Sequence, residues 1–376
     1  MNIPLSGPDI TKKEIEAVVS VLRTNQLSLG PKLPLFEEKF AQYIGTKYAV
    51  ALNSGTSALH LCVRALDIHD GDEVITTPFS FVASTNCFLF ERANPVFVDI
   101  NPETLNINEN EIESKITKRT KAIIPVHVFG YPANMKKIRQ IAKKHNLYVI
   151  EDACEAIGAE LNNKMAGSLS DCAVFAFYPN KQMTTGEGGM LVTDNVKIAD
   201  AARSLRNQGR DSMAWLAHNR LGYNYRLSEI NCALGLAQLD RLPDLLRKRE
   251  AVAEKYNLAL SGIDEIILPL GNTDKIKRSW FVYVIRLKDD FSVKQRDKLI
   301  EFLKTEGIGC NVYFPSIHLQ PYLKEYGFKK GDFSITESIS ERTIALPFFN
   351  DLTDREINYI TKKLKAGILE VKNNGR

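Results

Sequence analysis

Lys181 has the sequence surroundings that most favour covalent chemistry. It lies in FAFYPNKQMTTGEGGMLVTD (175–194), on a loop predicted between two apolar strands. An amine just beyond a buried strand is partly desolvated, so a fraction of it is unprotonated at neutral pH and can attack a carbonyl. Three glycines (Gly186, Gly188 and Gly189) allow a tight turn beside a bulky planar molecule. The alternative is an ordinary surface lysine followed by a glycine hairpin.

A carboxylate, Asp152, follows the apolar stretch Leu147 to Ile150. Side chains at the carboxyl ends of parallel strands face the crevice in which α/β folds bind ligands. An aspartate in this position can keep a pyridine nitrogen protonated, which makes the ring an electron sink. The alternative is that Asp152 caps a helix in the next segment.

A turn of small residues, Asn53-Ser54-Gly55-Thr56, joins a predicted strand to a predicted helix. The free amides and positive dipole end of a helix N-terminus suit a phosphate dianion. The turn matches neither the P-loop pattern nor the dinucleotide pattern G-x-G-x-x-G. The alternative is a plain helix cap by Ser54 or Thr56.

Strands and helices alternate over the first two-thirds of the chain, which predicts an α/β fold with a mostly parallel sheet covered on both faces. Residues 226–260 are predicted to be helical with a break near Pro243, and Ile308 to Val312 is predicted to be a strand. The pattern changes near residue 246. We therefore expect a large domain over 1–245 and a smaller α+β domain over 246–376.

The bulk properties exclude several classes of protein. The net charge is only +4 over 376 residues, and no basic stripe indicates nucleic-acid binding. No apolar run approaches the roughly 20 residues that span a bilayer. The six cysteines form no C-x-x-C pair, and no metal site is expected. A cytoplasmic location is the default expectation.

The order of these three features resembles the aspartate-aminotransferase-like fold (fold type I) of enzymes that use pyridoxal 5'-phosphate (PLP). The phosphate turn comes first, and Asp152 precedes Lys181 by 29 positions. More narrowly, the sequence resembles the sugar aminotransferases of the DegT/DnrJ/EryC1/StrS family over nearly its whole length. The resemblance includes the segments LSLGPKLPLFEEKF (27–40), GDEVITTPFSFVAS (71–84), PVFVDINPETLNI (95–107), LGYNYRLSEINCALGLAQL (221–239) and GIGCNVYFPSIHLQPY (307–322).

The resemblance implies a role for each matching position. Lys181 would form the Schiff base with the cofactor and move protons during catalysis, and Asp152 would pair with the pyridine nitrogen. The remaining implied cofactor contacts are an aromatic ring that stacks on the cofactor (Phe81), a phosphate turn (Ser54, Gly55 and Thr56), and an amide that reaches the phosphate in the neighbouring subunit (Asn224). The last of these implies a homodimer with shared active sites.

Three positions depart from common family patterns. Glu155 stands where many members have Gln or His beside the phenolic oxygen of the cofactor, so its carboxylate must be protonated or offset by positive charge. Ala176 replaces a phosphate-binding serine, and Asn311 replaces an arginine. Tyr313 and His318 match positions that line the sugar-nucleotide site, although His318 could equally be a structural histidine. His127 is ambiguous in the same way.

These features predict a PLP-dependent aminotransferase whose cofactor alternates between PLP and its amine form, PMP. The amino donor would be an amino acid, with glutamate expected, and the acceptor a nucleotide-linked 4-keto-6-deoxy sugar. The segments TTGEGG, YNYRLSE and YFPSIHLQP resemble nucleotide-sugar 4-aminotransferases such as the perosamine synthases. The alternatives are a C3-specific sugar aminotransferase, a sugar dehydratase on the same fold and a non-catalytic binding protein. The related 3-dehydratases carry histidine at the lysine position.

Overall fold

A seven-stranded sheet forms the centre of the protein, for which a computed structural model describes residues 1–211 and 217–373. The strand order is β1-β9-β8-β5-β4-β2-β3, and β9 alone runs antiparallel to the others. The predicted mostly parallel sheet is therefore confirmed. The strands are β1 (Tyr48–Leu52), β2 (Glu73–Thr76), β3 (Asn94–Phe97), β4 (Thr120–Ile124), β5 (Tyr148–Asp152), β8 (Cys172–Ala176) and β9 (Gly189–Thr193), with β6 (Glu160–Leu161) and β7 (Lys164–Met165) in a separate small sheet.

Alternate side chains of the central strands enter two different cores. Ala49 and Ala51 of β1 pack in one hydrophobic cluster, whereas Val50 and Leu52 pack in another. This is the two-residue period of a strand that is buried on both faces. The helices that surround the sheet are α1 (Lys12–Leu22), α2 (Lys32–Ile44), α3 (Gly55–Ala65), α4 (Ala83–Leu89), α5 (Met135–His145), α6 (Val196–Arg206) and α7 (Glu229–Leu260). The sequence analysis did not predict α6.

The strands bring the three chemically informative segments to one edge of the sheet. Because β1, β5 and β8 run in the same direction, their carboxyl ends lie at the same edge. There β1 leads into the turn before α3, β5 ends at Asp152, and β8 leads into the loop that carries Lys181. This is the edge at which α/β sheets bind ligands.

A second hydrophobic core lies towards the C-terminus. It surrounds a three-stranded sheet, and Ile3 from the N-terminus joins it. The boundary predicted between residues 245 and 246 lies within α7, which is continuous, and the boundary stays a prediction. The elements of this part are β10 (Ile266–Ile267), β12 (Tyr283–Leu287), α8 (Val293–Thr305), α9 (Ser334–Ser340), β13 (Thr343–Leu346) and α10 (Asp354–Asn373). The strand β11 (Ile276–Lys277) pairs instead with β6 in the separate small sheet.

The break predicted near Pro243 is wrong, because α7 runs through this proline as a single helix of 32 residues. Proline removes one backbone donor and crowds the preceding turn. The side chain of Pro243 is exposed, while Leu239, Leu242 and Leu245 are buried around it. Burial of these leucines offsets the local cost and keeps the helix continuous.

The strand predicted from Ile308 to Val312 is also wrong. This segment makes only isolated bridges, between Ile308 and Ile3 and between Asn311 and Ala345. Gly309 lies so close to the N-terminal segment that a Cβ there would be 2.5 Å from the Leu5 nitrogen. The segment therefore switches partners after a few residues and pairs continuously with neither.

Candidate active site

Lys181 lies on an irregular loop that is tied back to the end of β8. The Lys181 amide donates to the Tyr178 carbonyl at 2.9 Å, and the Thr185 amide donates to the Phe177 carbonyl at 3.0 Å. Only 13% of the Lys181 side chain is exposed, and its amine lies 3.8 Å from the centre of the Phe281 ring. The reading of Lys181 as an ordinary surface lysine is therefore wrong.

Glu155 is the carboxylate beside this amine. Its Oε1 lies 3.7 Å from the Lys181 Nζ, and its Oε2 accepts a hydrogen bond of 2.9 Å from the Phe129 amide. Burial raises the pKa of Glu155, although the charge of Lys181 and the Phe129 amide oppose the rise. Of the two predicted ways to avoid repulsion, protonation is therefore favoured relative to an exposed glutamate, and the nearby Lys181 amine supplies the other, a positive charge.

Asp152 ends β5 and is 5% exposed. Its Oδ2 accepts a hydrogen bond of 2.8 Å from the Ser84 hydroxyl, and its Oδ1 accepts one of 3.2 Å from the Cys154 amide. The residues after Asp152 form turns, so the helix-cap alternative is wrong. Ser84 also lies 3.1 Å from the Phe81 carbonyl, which links Asp152 to the segment that carries the Phe81 ring. That ring is 61% exposed and has a face free for stacking.

The turn before α3 leaves backbone donors available. Ser54 caps the helix by accepting from the Ser57 amide at 3.0 Å. Within the described residues, the amides of Gly55 and Thr56 have no protein acceptor, as is usual in a first helical turn. The capping alternative and the phosphate-binding prediction are thus compatible, because the cap uses the Ser57 amide and leaves the amides of Gly55 and Thr56 free.

Ala176, at the position of the family's serine, packs against this turn. A Cβ on Gly55 would lie 2.8 Å from the Ala176 Cβ and 3.1 Å from the Cys154 sulfur. Close approach of β8 to the turn therefore requires glycine at position 55. The Asn53 side-chain oxygen is also buried here without a hydrogen-bond partner, so a polar acceptor remains to be satisfied beside the turn.

Asn224 is exposed on a segment that runs beside the same turn. The Asn53 amide donates to the Tyr225 carbonyl at 2.9 Å, and Asn224 bridges to Asn207. Tyr223 and Tyr225 flank Asn224 in the sequence, and their rings stack on each other with their centres 4.8 Å apart. The side chain at position 224 is thus held at the surface, and its contact with a second subunit stays a prediction.

Tyr313 lies next to the lysine and its neighbours. Its ring centre is 6.4 Å from that of Phe281, and burial raises the pKa of its hydroxyl. Asn311, by contrast, is exposed and uses its side-chain oxygen locally, on the Val312 amide at 2.9 Å. Of these two, the structure brings only Tyr313 to the lysine.

The predicted substrate contact of His318 is not supported, because this side chain is fully buried. Its Nε2 is 3.0 Å from a Glu337 oxygen, and its ring packs against Phe333. His127 is buried in the same way, between Glu151 at 2.9 Å and the Ala133 amide at 3.0 Å. Both histidines therefore take the structural alternative.

The residues present fit a PLP molecule. The edge of the sheet offers a nearly buried amine, a carboxylate at the end of a strand, free amides at a helix start and an exposed aromatic ring. The free amides of Gly55 and Thr56 are the donors that a phosphate needs, whereas the unpaired Asn53 oxygen is an acceptor and needs a donor of its own. Within 1–211 and 217–373, no group of three or more histidine, cysteine or acidic side chains could hold a metal ion. No helix in these ranges is long and apolar enough to cross a membrane.

Several residues of this site escaped the sequence analysis. Ser84 was quoted only within a matching segment, and Phe281 and Arg249 were not singled out. Their roles depend on contacts across 68 to 100 positions of sequence, such as that between Lys181 and Phe281. Phe281 lies in a run of apolar and aromatic residues, and no local pattern identifies its partner.

Fold and site together define an aspartate-aminotransferase-like enzyme of fold type I. The model of the DegT/DnrJ/EryC1/StrS aminotransferase family matches residues 8–365, and the chain belongs to this family. Its relatives include the spore coat polysaccharide biosynthesis protein SpsC of Bacillus subtilis, which is 37% identical with 96% of each chain covered. GDP-perosamine synthase of Caulobacter vibrioides is also 37% identical, over 96% of this chain and 97% of that protein.

A solved structure of a sugar aminotransferase has the same fold as this chain. Spr1654 of Streptococcus pneumoniae, described as a sugar aminotransferase, superposes in its PMP form with a TM-score of 0.94 and 30% identity, covering 98% of this chain and 100% of that one. Its PLP form superposes with the same TM-score, covering 99% and 100%. The predicted family, fold and cofactor class are therefore confirmed.

Proposed function

We propose that this enzyme transfers an amino group from glutamate to a nucleotide-linked 4-keto-6-deoxy sugar. The observation that carries the proposal is the placement of the Lys181 amine. It is nearly buried, lies over Phe281 and beside Glu155, and shares one edge of the sheet with Asp152. The sugar class is supported by the 37% identity to GDP-perosamine synthase. A cytoplasmic location and a homodimer belong to the same proposal.

We assign the residues of this site as follows. Lys181 holds the cofactor and gives and takes the proton at the reacting carbon. Asp152, oriented by Ser84, keeps the ring nitrogen protonated, and Phe81 stacks on the ring. Bound PLP supplies an electron sink for the carbanion formed when that proton leaves. The amides at Gly55 and Thr56 take the phosphate.

Glu155 and Tyr313 complete the wall around the amine. A protonated Glu155 can donate to an oxygen of the cofactor, whereas an ionised one would repel it. Tyr313 borders the same space and presents a hydroxyl that stays neutral, because its pKa is raised. Tyr313 thus supplies a polar contact without adding negative charge next to Asp152, and Glu155 does the same when it is protonated.

The test is a panel of nucleotide-linked keto sugars incubated with the enzyme and glutamate, with products identified by mass spectrometry. We expect an amino sugar from a 4-keto-6-deoxy substrate. Lys181→Ala should lower this activity by at least roughly 10³-fold. A product that has lost water without gaining nitrogen would contradict aminotransfer, and amination of a 3-keto sugar alone would contradict the assignment to C4.

A further inference from the structure

We propose that Arg249 is a positioning residue that sets where the Lys181 amine lies, by clamping the backbone of Lys181 to that of Phe281. The inference rests on the proposed function of Lys181. Arg249 belongs to α7, which also reaches the far end of this loop through Gln238, whose Oε1 accepts from the Thr184 amide at 3.1 Å. Its influence on the site would pass entirely through main-chain atoms.

The guanidinium of Arg249 joins two separate segments. One nitrogen, Nη1, donates to the Phe281 carbonyl at 3.0 Å, and the other, Nη2, donates to the Lys181 carbonyl at 2.9 Å. Nη2 also lies 3.5 Å from the Asn180 carbonyl. The side chains of Lys181 and Phe281 meet on the other side, with the amine 3.8 Å from the ring centre. The clamp therefore fixes both members of that contact.

Arg249 is an unusual arginine, because it is only 2% exposed and its hydrogen bonds go to carbonyls. In the described ranges no carboxylate forms an ion pair with it. Burial lowers the pKa of Arg249 to about 10, and the distant negative charge of Asp9 acts in the opposite direction. The group therefore keeps its charge at neutral pH, and a buried charge is costly unless it is hydrogen-bonded. The two carbonyls supply that compensation for Nη1 and Nη2, whereas Nε is buried without a partner in the described ranges.

Gln182 anchors the loop next to Lys181, through a bond of 2.9 Å from its Nε2 to the Ser279 hydroxyl, and Arg249 is the side chain that donates to the Lys181 carbonyl itself. Residues 177–188 form neither helix nor strand, so no repeating hydrogen-bond pattern fixes Lys181. A buried carbonyl in such a loop needs a donor. Arginine has a rigid fork that reaches two acceptors at once, whereas lysine is a point charge on a flexible stem. A single arginine can thus hold two segments at a constant distance.

The experiment compares Arg249→Met, Arg249→Lys and a control, Arg296→Met. Arg296 is also a buried arginine, and it donates to the Ser340 carbonyl at 2.9 Å, but it contacts neither Lys181 nor Phe281. In cofactor-free protein, hydrogen exchange of the amides in 178–188 reports the loop directly. In protein mixed with PLP, borohydride reduction followed by mass spectrometry reports the rate of covalent attachment at Lys181.

We expect Arg249→Met to speed exchange in the loop and to slow attachment, each by about tenfold, the effect of losing roughly one net hydrogen bond. Arg249→Lys should lie between this variant and the native protein, because it can keep one carbonyl. Arg296→Met should change both by less than about twofold. Native exchange and attachment in Arg249→Met would overturn the proposal, as would an equal effect of Arg296→Met. If the native protein attached no PLP at Lys181, the proposed function would fail while the exchange data still judged the clamp.

Discussion

At the scale of a single residue, two opposing effects act on the pKa of Glu155. It is buried next to the Lys181 amine, which favours its charged form, and burial itself favours the neutral form. Burial dominates, so the pKa of Glu155 lies above its ordinary value of 4.5. The folded protein consequently holds a proton at this position over a range of pH in which the unfolded chain has released it.

This difference makes stability depend on pH in a defined direction. Between pH 4.5 and the raised pKa of Glu155, the folded state binds more protons than the unfolded state, so stability falls as pH rises. Glu155→Gln keeps an acceptor for the Phe129 amide and cannot ionise. We expect the stability of this variant relative to the native protein to increase through that window and then level off, by about 1.4 kcal/mol for each pKa unit of the shift.

Urea unfolding of the cofactor-free proteins, from about pH 4 to about pH 8, measures this effect. Acids that do not interact with position 155 titrate alike in both proteins and cancel in the difference. A difference that stayed constant over the whole range would show that Glu155 is not displaced from its ordinary pKa.

A second prediction for a single residue concerns the close packing around Gly55. Gly55→Ala places a Cβ 2.8 Å from that of Ala176, so β8 and the helix start must move apart. We expect a loss of about 1–3 kcal/mol in stability and a weaker hold on inorganic phosphate or PLP. Gly262→Ala is the matched control, because no atom lies within 4 Å of a Cβ at that position. Equal melting temperatures and equal PLP affinities for the two variants would contradict the packing argument.

The residues of the site differ in how far their sequence reveals them. Lys181 and Asp152 follow apolar strands, and a charged residue in that position stands out against its neighbours. Ser84 and Arg249 have ordinary local surroundings, and their partners are set by the packing of distant segments. His318 shows the opposite error, since its motif drew attention to a side chain that the fold buries against Glu337.

At the scale of elements, α7 shows where local rules lose to tertiary packing. Proline is the strongest local signal against a helix, yet Pro243 lies within a continuous one. The apolar residues on the buried side of α7 contribute along its whole length, whereas the cost of proline is confined to one turn. The helical spacing of the apolar residues was therefore the more reliable signal, whereas the proline at position 243 led to a wrong prediction of a break.

The same comparison yields a test. Pro243→Ala should restore one backbone hydrogen bond, and the exposed side chain has little packing to lose. We expect a net gain of about 2–2.5 kcal/mol, which is the roughly 3 kcal/mol cost of proline in a helix less the benefit of proline in restricting the unfolded chain, which is about 0.4–1 kcal/mol. Leu258→Ala, at a position 79% exposed on the same helix, is the control and should change stability by under about 0.5 kcal/mol.

Urea midpoints of the three proteins decide the outcome. A lower midpoint for Pro243→Ala than for the native protein would mean that the helix is built around the proline, for example through a bend that the packing of Leu242 and Leu245 requires.

The second wrong prediction at the scale of elements was the strand from Ile308 to Val312, a short segment that pairs with two different neighbours. The alternation in Ile308 to Val312 is that of a strand, but pairing requires a neighbour that runs alongside for several residues. Here the neighbour changes from Ile3 to Ala345 within four positions. The central strands, by contrast, each pair with a neighbour over several consecutive residues, and the mostly parallel sheet predicted from the sequence is the one observed.

At the scale of the whole molecule, the proposed homodimer raises the question of whether each active site takes its residues from one chain or from both. Ser54, Gly55 and Thr56 supply donors from within the chain, and Asn224 is presented outwards on a segment anchored to Asn53. An exposed amide held this firmly can reach a phosphate in a partner subunit. The proposed homodimer would then contain two sites, each with Lys181 from one chain and Asn224 from the other.

A heterodimer experiment separates shared sites from independent ones. Lys181→Ala and Asn224→Ala chains, carrying different tags, are produced together and the mixed dimers are isolated through both tags. Asn224→Ala alone should retain PLP roughly 10- to 100-fold less well, since it lacks one hydrogen bond to a charged group. If the sites are shared, one site of the mixed dimer has both native residues and the other has neither. The activity at limiting PLP should then be about half that of the native dimer.

The reciprocal pairing makes the result unambiguous. A chain with both substitutions, paired with a native chain, places Asn224→Ala opposite the native Lys181 when the sites are shared, so its activity should stay low. Independent sites predict the reverse, because the native chain would then retain a complete site and show half the native activity. Since both mixed dimers contain the same substitutions in the same number, stability and cofactor supply are matched between them. Their ratio of activities therefore depends only on whether Asn224 serves its own chain or the partner.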